Sequence, residues 1–242
     1  AWVCAGLGVP HQTLCVSLAA GNLQDRARAA RYTALAQWSD QRELRAIATG
    51  HQADDQAETL LMRLNRGSGL AGLAGVRERV ALHGVDVLRP LLGWRRAELA
   101  ALATAAGLRP VIDPSNVDTR YDRVRLRQAL ADADWLDPAN LARSAGHLSE
   151  AATYVAESVA ALRQDNVRHT GDALLLTPPP SDFAAIELAC LIIAELGGAA
   201  RRSEASALVS RLRRGENASL AGVLARVEGN RWLFAVEPAR KS

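Results

Sequence analysis

The fold of the first half of the chain is decided by residues 50–75, GHQADDQAETLLMRLNRGSGLAGLAG. The apolar run over residues 44–48 just before it predicts a short buried strand. The polar cluster therefore falls where the carboxyl end of a strand leads into a helix, which is where ligands bind in open α/β sheets. Four titratable side chains are spaced i, i+3, i+4 and i+7, so a helix puts them on one face: His51, Asp54, Asp55 and Glu58.

The predicted helix ends near Arg66, and a glycine-rich loop follows it. Gly67, Gly69 and Gly72 match the dinucleotide fingerprint G-x-G-x-x-G. That fingerprint binds pyrophosphate only between a strand and the start of a helix, where free N–H groups point at the ligand. Because this one follows a helix, we predict no nicotinamide or flavin site. The glycines instead let the backbone pass close to a ligand or to packed structure.

The composition favours a nucleic-acid partner. The net charge is only +3, but almost all the basic residues are Arg and the pI is near 9.1. Arg makes planar, bidentate contacts to phosphate and stacks on bases. A GC-rich genome, which encodes Arg in place of Lys, is the alternative explanation.

Other bulk features predict a cytoplasmic protein that contacts no membrane. The sequence has no apolar run long enough to span a bilayer and no signal peptide. Cys4, Cys15 and Cys190 have no C-x-x-C spacing, which argues against a disulfide framework and against a zinc or iron–sulfur site.

Strands alternate with helices up to about residue 130, which is typical of a parallel sheet. We predict a strand over residues 11–18, a hairpin over 80–88, and helices over 23–38, 94–106 and 120–130. Beyond them we predict a long helix over 140–164, a strand over 173–177, helices over 183–196 and 203–213, and a hairpin of 218–226 with 231–236. The predicted fold class is α/β: a Rossmann-like parallel-sheet domain in residues 1–133, then a smaller, mostly helical α+β domain in residues 134–242.

Four sequence blocks carry a family resemblance. They are A-R-x-x-R-Y at residues 27–32; H-x-x-D-D-Q-x-E-T at residues 51–59; Arg66-Gly67-Ser68-Gly69 with Gly72-Leu73; and Arg89-Pro90-Leu91-Leu92 followed by Asp113-Pro114-Ser115-Asn116 and a basic helix. In this order they resemble the tRNA(Ile)-lysidine synthetase family, PP-loop ATP-pyrophosphatases with an adenine-nucleotide-hydrolase-like fold, in its compact bacterial form.

The chain departs from the family pattern in two places. The S-G-G-x-D-S loop with which the family grips the pyrophosphate of ATP is absent from this chain, so the first domain is expected to lack its N-terminal part. The family's R-N-x-I-R reads Arg123-Val124-Arg125-Leu126-Arg127 here. The missing Asn puts an amide contact at that position in doubt.

The resemblance implies an ATP-dependent ligase of tRNA modification. ATP activates the C2 oxygen of the cytidine at the first anticodon position of tRNA(Ile), the amine of L-lysine attacks C2, and AMP leaves. The implied cofactors are ATP and Mg²⁺, and the implied partner is tRNA(Ile) with a CAU anticodon; a homodimer is left open.

The resemblance also implies site residues. The predicted catalytic residues are Asp55, Glu58, His51, Arg28 and Arg31, with Asp55 and Glu58 also as Mg²⁺ ligands on a solvent-reaching helix face. The predicted cofactor-binding residues are Thr49, Gly50, Arg66, Gly67 and Gly69. The predicted tRNA contacts are Arg120, Arg123, Arg125 and Arg127; the first, second and fourth share a helix face, and Arg125 points elsewhere.

Structural alternatives accompany these predictions. Asp54 is favoured as a helix cap. For His51, a role in closing the strand–helix turn is weighed equally with a catalytic role. Trp94, Tyr121 and Trp135 are favoured as packing residues over base-stacking ones. The rival functions are another PP-loop tRNA-modifying enzyme, such as a thiolase with paired cysteines, and a non-catalytic tRNA-binding relic.

Overall fold

The computed structural model describes residues 1–16, 23–111 and 118–237. The chain divides into two compact units, Ala1–Ala152 and Thr153–Ser242, and the division falls inside the helix Pro138–Asn166. The domain boundary predicted between residues 133 and 134 assigns that whole helix to the second domain, and it stays a prediction. No helix in the described part of the chain is long and apolar enough to cross a bilayer.

The first unit contains a small mixed sheet of β1 (Ala46–Ala48), β2 (Arg79–Leu82) and β3 (Val85–Leu88), in the order β1-β3-β2. β1 and β3 are parallel, whereas β2 and β3 form the predicted antiparallel hairpin. His83 and Gly84 join β2 to β3 with φ values of 51° and 81°, which suit a tight hairpin turn. The α/β class is confirmed, and the parallel pairing among the described residues consists of β1 with β3.

The helix Leu23–Gln41 packs against this sheet. The hydrophobic contacts behind it include Ala36 from the second helix, Ile47 from β1 and Val85 from β3. The predicted turn over residues 113–116 lies outside the described residues. The helices are α1 (Trp2–Gly6), α2 (Leu23–Gln41), α3 (Ala53–Asn65), α4 (Leu70–Leu73), α5 (Arg96–Ala105), α6 (Asp122–Asp132) and α7 (Pro138–Asn166).

The predicted strand over residues 11–18 is wrong in its described part, because residues 11–16 have no regular secondary structure. A strand needs a neighbouring strand to satisfy its backbone donors and acceptors, and no described strand pairs with this segment. Instead, the Gln12 side chain accepts hydrogen bonds from Trp38 Nε1 and Arg42 Nη2, both at 2.7 Å. The alternation of apolar residues was therefore insufficient evidence for a strand.

The second unit is an antiparallel sheet with two helices, α8 (Asp182–Glu195) and α9 (Arg202–Arg213). Its strands lie in the order β4-β5-β8-β7-β6. Both helices are confirmed, but the strand predicted over residues 218–226 is interrupted at Ala221 and Gly222, whose φ values are 52° and 78°. The strands are β4 (Val167–Thr170), β5 (Ala173–Leu176), β6 (Ala218–Leu220), β7 (Val223–Glu228) and β8 (Arg231–Val236).

Candidate active site

The turn between β1 and α3 presents the polar cluster at the carboxyl end of the parallel strand pair. Gln52 caps α3, because its side-chain oxygen accepts a hydrogen bond from Asp54 N at 3.4 Å and its own N donates to Asp55 Oδ2 at 3.1 Å. This reciprocal capping satisfies backbone donors that the first helical turn leaves without partners. The other carboxylate oxygen of Asp55 accepts from Arg123 Nη2 at 3.0 Å.

Glu58, one turn further along α3, is surrounded by three guanidinium groups. Its Oε1 accepts from Arg96 Nη2 at 3.0 Å and from Arg127 Nε at 2.8 Å, and its Oε2 accepts from Arg123 Nε at 2.6 Å. Burial alone would raise the pKa of Glu58, but the hydrogen bonds from Arg127 and Arg123 outweigh it and hold the pKa below its ordinary value. Glu58 is therefore an ionised counter-ion.

This environment corrects the prediction that Glu58 lies on a solvent-reaching face, since the residue is only 1 % exposed. The predicted Mg²⁺ site of Asp55 with Glu58 does not fit either. Both oxygens of Glu58 already accept from cationic donors, which would repel a further cation. Within the described residues, no three His, Cys, Asp or Glu side chains are grouped to hold a metal ion. No step of a reaction is therefore assigned to a metal at this pair.

Asp54 has a structural role, although at a different helix from the one expected. Its Oδ2 accepts from Arg96 N at 2.8 Å, so it caps the first turn of α5. The same oxygen lies 3.4 Å from Arg95 Nε, and Arg95 Nη1 lies 3.2 Å from Asp137 Oδ1. These contacts tie the start of α3 to the start of α5 and to the residue before α7. Arg95 and Arg96 were not predicted as site residues.

The basic helix α6 turns its shared Arg face inward. Arg123 and Arg127 share a face as expected, but this face meets the carboxylates of α3, and the two side chains are only 38 % and 32 % exposed. Arg125, expected to be silent or to point inward, has a side chain that is 61 % exposed and pairs with Asp122. Arg120 precedes the helix, where it is 83 % exposed and pairs with Asp118 at 2.7 Å. The predicted grouping thus holds for Arg123 with Arg127 but not for Arg120, and the predicted direction of the shared face is wrong.

The position where the family pattern has Asn is filled by Val124, which is 7 % exposed. Because α6 packs against α3, burial of the apolar surface of this side chain stabilises the helix pair. The departure from the family pattern is thus compatible with the same placement of Arg123 and Arg127.

A cavity of about 430 Å³ opens beside this cluster. His51 lines it, and its Nδ1 lies 2.9 Å from Thr49 Oγ1, so the residue also helps to close the strand–helix turn. Burial, followed by the nearby positive charge of Arg89, lowers the pKa of His51 below its ordinary value, so the imidazole is neutral near pH 7. The full lining is Arg31, Leu35, Thr49, Gly50, His51, Asp55 and Arg123.

Arg28 and Arg31 both contact the ring of Tyr32, with their guanidinium carbons 5.2 Å and 5.5 Å from its centroid. Neither forms an ion pair within the described residues. Arg31 lines the cavity, and Arg28 is close enough to His51 to contribute to its lowered pKa. The cavity thus has positive charge that no carboxylate of the described chain neutralises.

The end of the glycine-rich loop is held by hydrogen bonds to a side-chain amide of α3. Gln56 Nε2 donates to Val76 O and Val76 N donates to Gln56 Oε1, both at 2.6 Å. Gly75 lies against this amide with φ of 69°, and an added Cβ would collide with Gln56 Oε1. Gly67 and Gly69 face open space, and Arg66 lies 3.9 Å from Asp122. The structure therefore separates these three residues from the cavity-lining Thr49 and Gly50.

Arg89 is a site residue that pattern analysis missed, although it begins the R-P-L-L block. It follows β3 directly, and the parallel register that pairs Ala48 with Leu88 puts it next to Thr49. It is 5 % exposed, and its Nε has no hydrogen-bond partner in the described part of the chain. No periodicity or spacing in the sequence distinguishes such a buried Arg from an exposed one.

The aromatic residues differ in their environments. Trp135 is 79 % exposed, so it does not pack in a core of the described chain, while Trp94 is 44 % exposed. Tyr121 is half-buried at the N-cap of α6. None of the three lines the cavity described above.

Comparisons with known proteins identify the family of this chain. The PP-loop domain family matches residues 2–133. A tRNA(Ile)-lysidine synthase of Novosphingobium aromaticivorans is 43 % identical over an alignment covering 100 % of this chain and 76 % of that protein. The chain belongs to the tRNA(Ile)-lysidine synthase family. Family members with the same name from Zymomonas mobilis and Ruegeria pomeroyi are 36 % and 38 % identical, and the alignments cover 76 % and 58 % of those proteins.

Proposed function

We propose that this member of the tRNA(Ile)-lysidine synthase family joins L-lysine to C2 of the cytidine at the first anticodon position of tRNA(Ile). The reaction consumes ATP and releases AMP and pyrophosphate, and the tRNA carries a CAU anticodon. Mg²⁺ accompanies the phosphates of ATP, as it usually does in nucleotide sites. Residues 1–133 act as a Rossmann-like ATP-pyrophosphatase domain in the cytoplasm, and residues 134–242 contribute tRNA binding. A homodimer stays an open alternative.

The observation that carries this proposal is the mixed charge of one cavity. Arg31 and Arg123 supply guanidinium groups, which suit phosphate, while Asp55 supplies a carboxylate, which suits a protonated amine. A ligase that brings ATP, lysine and RNA together needs both kinds of group within one site. Thr49 and Gly50 line the same cavity and offer backbone and hydroxyl contacts to a nucleotide.

We assign different roles to the two carboxylates. Asp55 reaches the cavity and holds the amine of lysine. Glu58 acts through Arg123 and Arg127 as a positioning residue, because its oxygens are occupied by guanidinium groups. His51, neutral near pH 7, has no hydrogen-bond partner for Nε2 among the described residues, which suits it to accept a proton. Arg28 contributes positive charge near the phosphates.

The assignments of Arg66, Gly67 and Gly69 to cofactor binding and of Arg120 and Arg125 to tRNA binding stay proposals. Arg120 and Arg125 are exposed and so are accessible to an RNA backbone. Another PP-loop tRNA-modifying enzyme is disfavoured because the curated relatives share one name over the full length of this chain.

The test is transfer of radiolabelled L-lysine to a tRNA(Ile) transcript with a CAU anticodon, in the presence of ATP and Mg²⁺. Asp55→Asn should reduce the rate by at least about a hundredfold, the usual effect of a group that positions or deprotonates a substrate. Glu98→Gln is the matched control, because Glu98 caps α5 as Asp55 caps α3, through a 2.6 Å hydrogen bond from Arg95 N, and it does not line the cavity. Binding of the tRNA without any labelling would favour the non-catalytic relic.

A further inference from the structure

Arg89 is a buried cation for which the described chain supplies no anion. Within the described residues, its only side-chain hydrogen bond is from Nη1 to Arg77 O at 2.5 Å, and its buried Nε has no partner among them. A buried charge without a counter-ion is costly, and it persists where function requires it. Arg63 provides a contrast, because it is also partly buried but donates to the Gly72 and Gly75 carbonyls to hold the glycine loop.

The position of Arg89 suits a ligand. Thr49 N donates to Leu88 O at 2.9 Å, so the residues that follow β1 and β3 are direct neighbours at the carboxyl edge of the parallel pair. Thr49 in turn contacts His51, and both line the cavity. Arg89 is not itself among the lining residues, but after burial its positive charge is the next largest cause of the lowered pKa of His51, which does line the cavity.

We propose that Arg89 and His51 form the inner end of a phosphate-binding site, in which the unpaired guanidinium of Arg89 receives the charge of a phosphate group. The two candidate sources of this phosphate are the polyphosphate of ATP and the backbone of tRNA. The inference rests on the proposed function for these two sources and for nothing else. Arg28 and Arg31, which also have no carboxylate partner in the described chain, add to the positive potential that attracts such an anion.

Inorganic pyrophosphate is the probe, titrated into the full 242-residue chain in the absence of lysine and tRNA and followed by calorimetry and thermal denaturation. The wild-type chain should bind it and gain in Tm. Arg89→Met should weaken binding at least about tenfold, because charge-assisted hydrogen bonds are lost. Without ligand, Arg89→Met should melt at the wild-type temperature or above, since it removes an unneutralised buried charge. Arg89→Lys keeps the charge and should retain part of the affinity.

Arg63→Met is the matched control. It should lower the Tm of the ligand-free chain and leave pyrophosphate affinity unchanged, because its guanidinium serves the loop. A folded Arg89→Met or Arg89→Lys variant with wild-type pyrophosphate affinity would overturn the proposal. So would a wild-type chain that pyrophosphate does not stabilise.

Two further titrations of Arg89→Met identify the source of the phosphate. A loss of ATP affinity with an unchanged salt dependence of tRNA binding assigns the site to the nucleotide. A tRNA salt slope reduced by about one unit, with ATP affinity unchanged, assigns it to the RNA backbone. Lysine transfer is measured separately from pyrophosphate binding. A chain that forms no lysidine can still bind pyrophosphate through Arg89, and a chain that forms lysidine can still fail the pyrophosphate-binding test.

Discussion

The two units of the chain differ in the side chains that they bury most completely. In the second unit the fully buried side chains are apolar, and Phe234, Leu188 and Ile193 are 0 % exposed. Among the described residues of the first unit, the largest fully buried side chain is the carboxylate of Glu58, followed by Val87. The second unit is thus stabilised mainly by removal of apolar surface from water. The first unit depends more on matched charges, so its stability should respond to pH.

Phe234→Ala should have the largest effect and should be confined to the second unit. Deleting a buried aromatic side chain leaves a cavity and typically costs about 3–5 kcal/mol. Hydrogen–deuterium exchange under native conditions should show faster exchange in α8, α9 and the second sheet, to a similar extent at pH 7 and pH 5. A strongly pH-dependent loss would mean that this core is not governed by apolar burial.

Glu58→Gln should destabilise the first unit by roughly 2 kcal/mol, because three guanidinium groups lose their common counter-ion. The expected loss of stability is smaller than for a fully buried ion pair, because the side chains of Arg96, Arg123 and Arg127 are 41 %, 38 % and 32 % exposed. Faster hydrogen–deuterium exchange of the backbone amides in α3 and α6 reports this loss of stability. In this measurement α8 and α9 should be unaffected.

Glu216→Gln is the control for Glu58. Glu216 also pairs with two arginines, Arg211 and Arg214, but its side chain is 46 % exposed. Exposed ion pairs contribute little, so exchange in the second unit should not change. Equal effects of the two substitutions would show that burial does not distinguish them.

Mild acid should weaken the first unit in two steps. The folded-state pKa of His51 lies below 6.5, so the unfolded chain takes up a proton first and stability falls as the pH drops below 6.5. The folded-state pKa of Glu58 lies below 4.5, so its contribution is present above pH 4.5 and is lost as the pH falls through the folded value. Exchange of α3 amides against pH should show both steps, and His51→Gln should remove only the first.

Arg125→Ala should have the smallest effect. Its side chain is exposed and pairs only with Asp122 on the helix surface, so stability should be unchanged. If Arg125 contacts a tRNA phosphate, the salt slope of tRNA binding should fall by about one unit. Filter binding at several salt concentrations measures this slope. A loss of stability comparable with that of Glu58→Gln would contradict the orientation of α6.

The sequence was informative where structure depends on neighbouring residues. The 50–59 segment predicted the strand–helix turn, and His83-Gly84 predicted the hairpin, because capping and turn geometry act within a few residues. The sequence was less informative about the direction in which a helix face points. Periodicity grouped Arg123 with Arg127, but their partner Glu58 is more than sixty residues away, and the direction of that face depends on this contact. Burial of Arg89 likewise depends on strand pairing that no local pattern encodes.

The arrangement around Glu58 also limits how this sequence can change during evolution. A single acidic residue pairs with guanidinium groups from two different helices, so positions 58, 96, 123 and 127 cannot change independently. Replacing Glu58 by Asp would shorten its reach, and replacing one Arg would remove one of its hydrogen-bond donors and displace the others. Neutral substitutions should therefore accumulate on the exposed side of α6, at positions such as 125 and 128, while the four positions of the cluster change only together.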